Sequence, residues 1–367
     1  MWWPVFFHYI CELNTSNLKS MDIKILKADS PKGEITLYTM VNAKGAEVTV
    51  SSLGAGIVSV NVPDASGKLD DVALGYANPA DYIADGPCAG KVPGRYANRI
   101  ARGHLRVDGR DYQLAINNGP NALHGGPEGF QNQIWQSRID GDAVVFSRTS
   151  PDGEENYPGT LEAEARYTWS DDCVLTLELK ATTDAPTVVN LTNHCYWNLE
   201  GHNAGSVLDH KLWLGASRYL PTDDTLIPTG EMAPVAGTPM DFTQLKVIGR
   251  DIKEDFAALN YGKGYDNCWV VDDCRKGSLK HVATLEAPAS GRVLKVLTTQ
   301  PAAQVYTGNW LAGSPLNKAG RSYDDYDGVA IECQSMPDSP NHADFPTTQL
   351  YPGETYHQTI VFEFSTK

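Results

Sequence analysis

Two ionisable side chains lie in sequence contexts that favour burial. His194 lies in the segment TNHCYW (192–197), and Glu332 lies in VAIEC (329–333); a short apolar stretch precedes each of them. We predict that each side chain leaves a buried strand and faces an enclosed space. Because an isolated carboxylate or imidazole is costly to bury, each group needs a partner. The two residues are therefore candidates for a general acid–base site.

A second histidine and a second carboxylate have similar settings. His124 precedes a Gly-Gly pair, and Asp266 follows Gly264-Tyr265. If both converge with His194 and Glu332 on one cleft, the site has an acid and a base without a metal or a cofactor. Each residue also has a simpler interpretation. His124 and Asp266 suit ordinary turns, His194 suits an aromatic core, and Glu332 suits a solvated strand face.

Aromatic and polar residues flank His194 in the pattern that a sugar site requires. Tyr196 follows it closely, and aromatic rings stack on the apolar faces of sugars while polar side chains bind the hydroxyls. Asn98 and Arg99 are interpreted either as a positioning clamp for a ligand or as a surface pair.

Composition excludes several classes of protein. The 367 residues contain 45 Asp and Glu against 30 Lys and Arg, which gives a net charge of −15. An acidic surface repels phosphate backbones, so nucleic acid is not an expected partner. The sequence has no phosphate-binding glycine-rich loop, no G-x-S-x-G elbow and no H-E-x-x-H motif. It therefore offers no motif for covalent catalysis or nucleotide chemistry.

The cysteines and the N-terminus bear on the compartment. Seven cysteines form an odd set without C-x-x-C spacing, so we expect no disulfide framework, no zinc site and a reducing, cytoplasmic location.

Residues 1–20 begin with an apolar run that lacks a basic region and is too short to span a bilayer. We interpret them as an extension, either disordered or an upstream start. Export through this atypical segment is the alternative, and no membrane association is expected.

Alternating and β-branched runs predict an all-β protein of antiparallel strands. The clearest runs are 47–51, 56–62, 143–146, 161–169, 174–179, 293–298 and 359–364. Residues 170–172 and the Asp108-Gly109 pair predict two hairpin turns. Residues 249–259 are the one helix candidate. Since no linker divides the chain, we predict a single domain over 21–367, built as a large β-sandwich.

Several blocks, in order, resemble the aldose 1-epimerase (galactose mutarotase) family. They are GRYANRI (94–100), AINNGPNALHGG (115–126), NLTNHCYWNLEG (190–201), QVYTGN (304–309) and the segment 332–346. The resemblance extends from about Glu34 to Phe364, which is nearly the whole chain. Two positions depart from the family pattern: Cys195 replaces a common serine, and Asn267 replaces a common histidine.

The resemblance implies a galactose-mutarotase-like β-sandwich that interconverts the α and β anomers of free galactose or glucose, without a cofactor or metal. It places Glu332 at the catalytic base position and His194 at the acid position. It places Asn98, Arg99, His124, Tyr196, Asp266 and Gln304 at substrate-contacting positions. We expect a monomer or a weak homodimer. The rival functions are a noncatalytic sugar-binding module and a hexose-phosphate epimerase; the latter would need an additional basic cluster.

Overall fold

The computed structural model describes residues 21–367, and the predicted extension, residues 1–20, lies outside the described residues. The chain forms antiparallel strands joined by turns and short loops, as the alternating sequence pattern predicts. The first thirteen strands are β1 Asp22–Ala28, β2 Ile35–Val41, β3 Glu47–Ser51, β4 Gly56–Pro63, β5 Leu69–Asp71, β6 Arg99–Ile100, β7 His104–Val107, β8 Arg110–Gln113, β9 Ala122–Leu123, β10 Gln136–Asp140, β11 Ala143–Ser150, β12 Leu161–Trp169 and β13 Val174–Thr183.

The second half of the chain contributes thirteen more strands. They are β14 Thr187–Val188, β15 Tyr196–Trp197, β16 Lys211–Leu214, β17 Arg218–Tyr219, β18 Ala233–Pro234, β19 Lys246–Val247, β20 Asp266–Val270, β21 Lys280–Glu286, β22 Arg292–Thr298, β23 Ala302–Tyr306, β24 Val329–Gln334, β25 Gln349–Leu350 and β26 Tyr356–Thr366. One α-helix occurs among residues 21–367, α1 Ala257–Gly262. The short 3₁₀ helices are Pro79–Tyr82, Ala101–Gly103, Phe130–Asn132, Glu154–Asn156, Ile248–Arg250 and Ser339–Asn341.

Three larger sheets form the body of the protein. Their strand orders are β1-β2-β3-β4-β5, β10-β11-β12-β13-β26-β22-β21-β16-β19 and β15-β24-β23-β20-β17-β18. One continuous apolar cluster contains buried residues of all three sheets, for example Val48, Leu177 and Val305. A shared core between packed sheets is what defines a sandwich, so the predicted fold class is confirmed.

Both predicted hairpin turns are confirmed. Val107 pairs with Arg110 across a two-residue turn, and Asp108 and Gly109 both have positive φ, at 47° and 76°. A two-residue turn of this kind needs positive φ at both central positions, which the Asp-Gly pair tolerates. Strands β12 and β13 are joined through residues 170–173.

The predicted helix over 249–259 is wrong in its extent. Residues 248–250 form a 3₁₀ turn, and the α-helix covers only Ala257–Gly262. The carboxylate of Asp251 accepts hydrogen bonds from the side chains of Lys246 and Arg250 at 2.8–2.9 Å. These contacts hold the charged segment in a compact turn, although Ile252, Phe256 and Leu259 have the spacing of a helical apolar stripe and pack on the core.

Candidate active site

Seven of the eight residues predicted to form the site line one open cleft of about 710 Å³. They are Asn98, Arg99, His124, His194, Tyr196, Asp266 and Glu332. Gln304 does not line the cleft; it is 4% exposed and hydrogen-bonded to Asp266. The two histidines and two carboxylates therefore converge on one cleft, as the sequence predicts.

The register of the six-stranded sheet positions the carboxylates. Glu332 on β24 lies opposite Gln304 on β23, and Asp266 on β20 lies opposite Tyr306 on β23. Cross-strand partners share a face and alternate residues return to it, so all four side chains project from the same face of the sheet. Glu332 lies within its strand rather than beyond its end, because β24 continues to Gln334.

The central contact of the cleft joins His194 to Glu332. His194 Nε2 lies 3.4 Å from Glu332 Oε1, and the two residues are 5% and 2% exposed. Within the described residues, Glu332 Oε2 and His194 Nδ1 have no hydrogen-bond partner. These two atoms are inaccessible, but both side chains line the cleft, so the pair presents a carboxyl group and an imidazole to a ligand.

Burial shifts the two pKa values in opposite directions. Loss of solvent raises the pKa of Glu332 well above its ordinary value; the Asp266 carboxylate raises it further and Arg99 opposes this. The pKa of His194 is lowered to about 4; loss of solvent is the main cause, and the Lys91 ammonium adds to it. Both shifts favour the uncharged forms, since a dry site penalises charge.

His194 lies in the segment between β14 and β15, not at the end of a long strand. Its backbone N–H donates to the carbonyl of Lys91 at 2.9 Å. Its ring meets that of His124 edge-on, with centroids 5.3 Å apart, and lies 5.0 Å from that of Tyr196. These contacts fix the imidazole in one orientation.

His124 is held by a tight loop. The backbone N–H of Asn98 donates to His124 Nδ1 at 3.1 Å, so the neutral ring carries its proton on Nε2 as a donor. Burial lowers the pKa of His124 well below its ordinary value, with a further contribution from His194. Gly125 allows the close approach of the loop, because a Cβ there would lie 2.0 Å from the carbonyl oxygen of Gly94.

Arg99 and Asp266 form the opposing polar side of the cleft. Arg99 Nη2 lies 3.6 Å from Asp266 Oδ2, and Arg99 Nε donates to Asn118 Oδ1 at 3.1 Å. Gln304 Nε2 donates to Asp266 Oδ1 at 2.6 Å. Gln304 therefore orients Asp266 from the same face of the sheet, while Arg99 and Asp266 present charged groups to the cleft.

The two departures from the family pattern have separate consequences. Asn267 is fully buried and faces away from the cleft, and its amide makes no hydrogen bond among residues 21–367. The orientation of Asp266 therefore depends on Gln304 and Arg99 instead. Cys195 is also buried, and its backbone N–H donates to Asn193 Oδ1 at 3.0 Å; its side chain does not line the cleft.

The sequence analysis missed several residues that line the cleft. Tyr306, Asn118 and Trp310 belong to its lining, as do loop residues 224–226 and 312–315. Tyr306 follows Gln304 by two positions in a strand, so the period-2 pattern could have placed it on the same face. The loop residues carry no comparable periodic signal. The hydroxyl of Tyr196 donates to Pro87 O at 2.9 Å, which leaves its ring as the surface for a ligand.

The part of the chain that the structure describes contains no group of three or more His, Cys, Asp or Glu side chains arranged to hold a metal ion. None of the helices in residues 21–367 has the length and apolar character needed to cross a membrane. The six cysteines of this region, Cys88, Cys173, Cys195, Cys268, Cys274 and Cys333, are all free.

Fold and site together define a β-sandwich protein with an acid–base cleft lined by aromatic and amide side chains. Residues 36–363 match the family model described as aldose 1-epimerase. The chain is 45% identical over 320 residues to the galactose mutarotase of Homo sapiens, covering 87% of this chain and 91% of that protein. It is 38% identical over 340 residues to the aldose 1-epimerase of Escherichia coli K12, covering 91% and 97%.

A solved structure shows the same architecture. The aldose epimerase homologue from C. elegans superposes with a TM-score of 0.82 at 31% identity, covering 94% of this chain and 99% of that one. The chain belongs to the aldose 1-epimerase family. The resemblance stated from its motifs is confirmed.

Proposed function

We propose that this protein is an aldose 1-epimerase that interconverts the α and β anomers of free aldohexoses, galactose or glucose. The observation that carries the proposal is the buried pair of His194 and Glu332, 3.4 Å apart in an open cleft. The family relationship supports it, because the relatives are named for this reaction.

The reaction requires two coordinated proton transfers. The C1 hydroxyl must lose a proton while the ring oxygen gains one, which opens the ring to the aldehyde. Rotation about C1–C2 followed by reclosure gives the other anomer. Glu332 is the proposed base for the C1 hydroxyl and His194 the proposed acid for the ring oxygen; on reclosure the two roles reverse. Each well-placed group contributes about 10²–10⁴-fold to the rate.

The pair needs one proton in total to perform this chemistry. The opposite pKa shifts favour a neutral carboxylic acid beside a neutral imidazole. Transfer of that proton from Glu332 to His194 produces the carboxylate and the imidazolium that the reaction uses. This form is the less populated one, but its carboxylate is a stronger base and its imidazolium a stronger acid than in water.

The remaining cleft residues are proposed to hold the sugar. Arg99 and Asp266 present a donor and an acceptor for hydroxyl groups, and His124 offers its Nε2 proton. The rings of Tyr196 and Tyr306 supply apolar surface for a face of the sugar. Asn98 and Gln304 contribute by orienting His124 and Asp266.

We also propose that the protein works as a monomer or weak homodimer in the cytoplasm. One chain supplies every group that the mechanism uses. The free cysteines of the described region fit a reducing compartment.

Polarimetry tests the function. Freshly dissolved α-D-galactose and α-D-glucose should reach their equilibrium rotation faster with the protein than without it, and excess chelator should not slow them. No acceleration of either sugar would refute the proposal. Loss of activity with chelator, restored by a divalent ion, would refute the metal-free mechanism.

Glucose 6-phosphate tests the rival function. Arg99 is the one lysine or arginine among the residues that line the described cleft, and it faces Asp266. A phosphate group therefore meets no basic cluster there, and we expect the phosphate ester to be a poorer substrate than glucose. An equal or higher kcat/KM for the ester would favour a hexose-phosphate epimerase.

A further inference from the structure

A buried ion pair lies directly behind the catalytic centre. Lys91 is 1% exposed, and its ammonium contacts the carboxylate of Asp85, which is fully buried. Lys91 Nζ also donates to Tyr82 O at 2.5 Å and to Asn132 Oδ1 at 3.3 Å. Because desolvation offsets most of the attraction within a buried pair, such a pair is seldom explained by stability alone.

The ion pair closes a short loop, residues 85–91. Asp85 Oδ2 accepts from the backbone N–H of Ala89 at 2.9 Å and from the hydroxyl of Tyr76 at 3.0 Å. Lys91 and Asp85 thereby join the two ends of the loop through their side chains. The pair fixes the conformation of the intervening backbone.

This loop binds both backbone polar groups of the proposed catalytic histidine, its N–H and its carbonyl. The His194 N–H donates to Lys91 O at 2.9 Å, and the Gly90 N–H donates to His194 O at 2.9 Å. Pro87 O accepts from the hydroxyl of Tyr196 at 2.9 Å. The position of the imidazole relative to Glu332 therefore depends on a loop that the ion pair closes.

The Lys91 ammonium also lowers the pKa values of the two imidazoles in the cleft. Burial is the main cause of the lowered pKa of His194, and Lys91 lowers it further, whereas Asp85 is not among the causes. Lys91 likewise lowers the pKa of His124. The titratable side chains that face His194 are Glu332, His124, Tyr196 and Tyr306, and Asp266 and Arg99 act on Glu332.

We propose that Lys91 and Asp85 are positioning residues of the acid–base centre: their ion pair holds loop 85–91 against the backbone of His194 and keeps a buried cation on the residue whose carbonyl accepts from the His194 N–H. The inference rests on the proposed function, in which His194 gives a proton to the ring oxygen. That oxygen is a weak base, and an imidazolium beside a cation is a stronger acid.

Two variants test the electrostatic part. Lys91→Met removes the cation and leaves Asp85, whereas Lys91→Met/Asp85→Leu removes both charges and leaves no unpaired buried charge. The matched control is Lys246→Met, which breaks another buried ion pair, Lys246 with Asp251, outside the lining of the cleft. Thermal unfolding of all three variants reports the cost in stability.

The readout is the pKa of His194, followed by NMR in the Glu332→Gln background, where no turnover is required. We expect Lys91→Met to raise this pKa by more than about 0.2 pH unit, because the substitution removes a cation that lowers it. The double variant should raise it less, and Lys246→Met should leave it unchanged. The acid limb of kcat/KM should move in the same order.

An unchanged His194 titration, within about 0.2 pH unit in both Lys91 variants, would overturn the proposal and leave the ion pair a purely structural role. A shift of equal size in Lys246→Met would overturn it as well, because the effect would then not be local. If Lys91→Met does not fold, the double variant decides. Since NMR requires no activity, failure of the proposed function would be seen separately, as absent mutarotation by the wild type.

Discussion

At the proposed catalytic pair, His194 and Glu332, a single physical cause moves two pKa values apart. Burial raises the pKa of Glu332 and lowers that of His194. In the resting pair the single proton therefore stays on Glu332, and both side chains are uncharged. The residue types alone predict that His194 has the higher pKa of the two. With ordinary pKa values of about 4.3 for Glu and about 6.5 for His, a pair with one proton consists of a carboxylate and an imidazolium. The environment, not the residue types, determines the resting state.

The pH dependence of kcat/KM should follow the proton count of this pair. Below pH about 4 both groups are protonated and no base remains, because the pKa of His194 is lowered to about 4. Above the raised pKa of Glu332 the pair has lost its last proton and no acid remains. We therefore expect a bell whose acid limb lies near pH 4 and whose basic limb lies well above the ordinary pKa of a glutamate.

Initial mutarotation rates at low sugar concentration, measured over the whole range, check this profile. Spontaneous mutarotation is subtracted at each pH. A basic limb near the ordinary histidine pKa, about 6.5, would contradict the neutral resting pair, because unshifted groups lose their last proton there.

Asp266 is expected to act on binding more than on turnover. Asp266→Asn removes the charge that faces Arg99 while keeping an oxygen for the Gln304 amide. A lost hydrogen bond between a charged group and a sugar hydroxyl costs about 1–3 kcal/mol, so KM should rise roughly 5- to 150-fold with a smaller change in kcat. Steady-state polarimetry separates the two constants.

Asp273→Asn, an exposed position outside the cleft, is the control for Asp266→Asn. The substitution at Asp266 should also lower the pKa of Glu332, since Asp266 helps to raise it. The basic limb of the pH profile should then move to lower pH. A collapse of kcat at unchanged KM would show that Asp266 takes part in the chemistry.

At the scale of elements, the loop that carries His124 depends on one glycine. Gly125 has φ of 80°, and a side chain there would collide with Gly94 O. Gly141 has a similar φ of 61° but no neighbouring atom within 4 Å of its Cβ position. Alanine substitutions at both positions share the cost of a positive φ, but only the one at Gly125 adds steric overlap. Comparing them therefore isolates the cost of the overlap.

Gly125→Ala should lower the free energy of unfolding by at least about 1–3 kcal/mol more than Gly141→Ala, since the shared φ penalty cancels in the comparison. It should also reduce kcat/KM, because the His124 loop must move. Urea unfolding and polarimetry measure the two effects. Equal destabilisation by the two substitutions would show that the loop relaxes without cost.

The strands were predictable because each alternating run has one dominant period. Predicted strands 47–51 and 161–169 coincide with β3 and β12, and the Asp108-Gly109 turn requires the φ values that it adopts. The helix extent failed because side-chain contacts of Asp251 decide that segment. The partners, Lys246 and Arg250, are near in sequence, but the apolar spacing that favours a helix does not reveal which side chains will pair.

For the candidate site, the sequence predicted which residues belong to it but not how they are arranged. The motifs identify His194 and Glu332, but the 3.4 Å contact, the resting protonation and the Lys91–Asp85 pair arise from distant segments packed together. Gln304 illustrates the difference. Its position in a motif predicts a sugar contact, whereas in the structure its side chain is buried beside Asp266 and outside the lining of the cleft.

At the scale of the whole molecule, the net charge of −15 should have little influence on catalysis. An electrostatic field steers charged ligands and leaves a neutral sugar almost unaffected. We expect kcat/KM for galactose to change less than about twofold between 0.02 M and 0.5 M salt, over which screening changes strongly. A steep salt dependence in polarimetric rates would indicate a charged substrate instead.

The most direct test of the whole account is polarimetry of Glu332→Gln. The substitution keeps the size of the side chain and its capacity for hydrogen bonds but removes the proposed base. We predict that kcat falls at least about 100-fold, while calorimetry still detects galactose binding. A Glu332→Gln protein that retains more than about a tenth of the wild-type kcat would show that the base lies elsewhere.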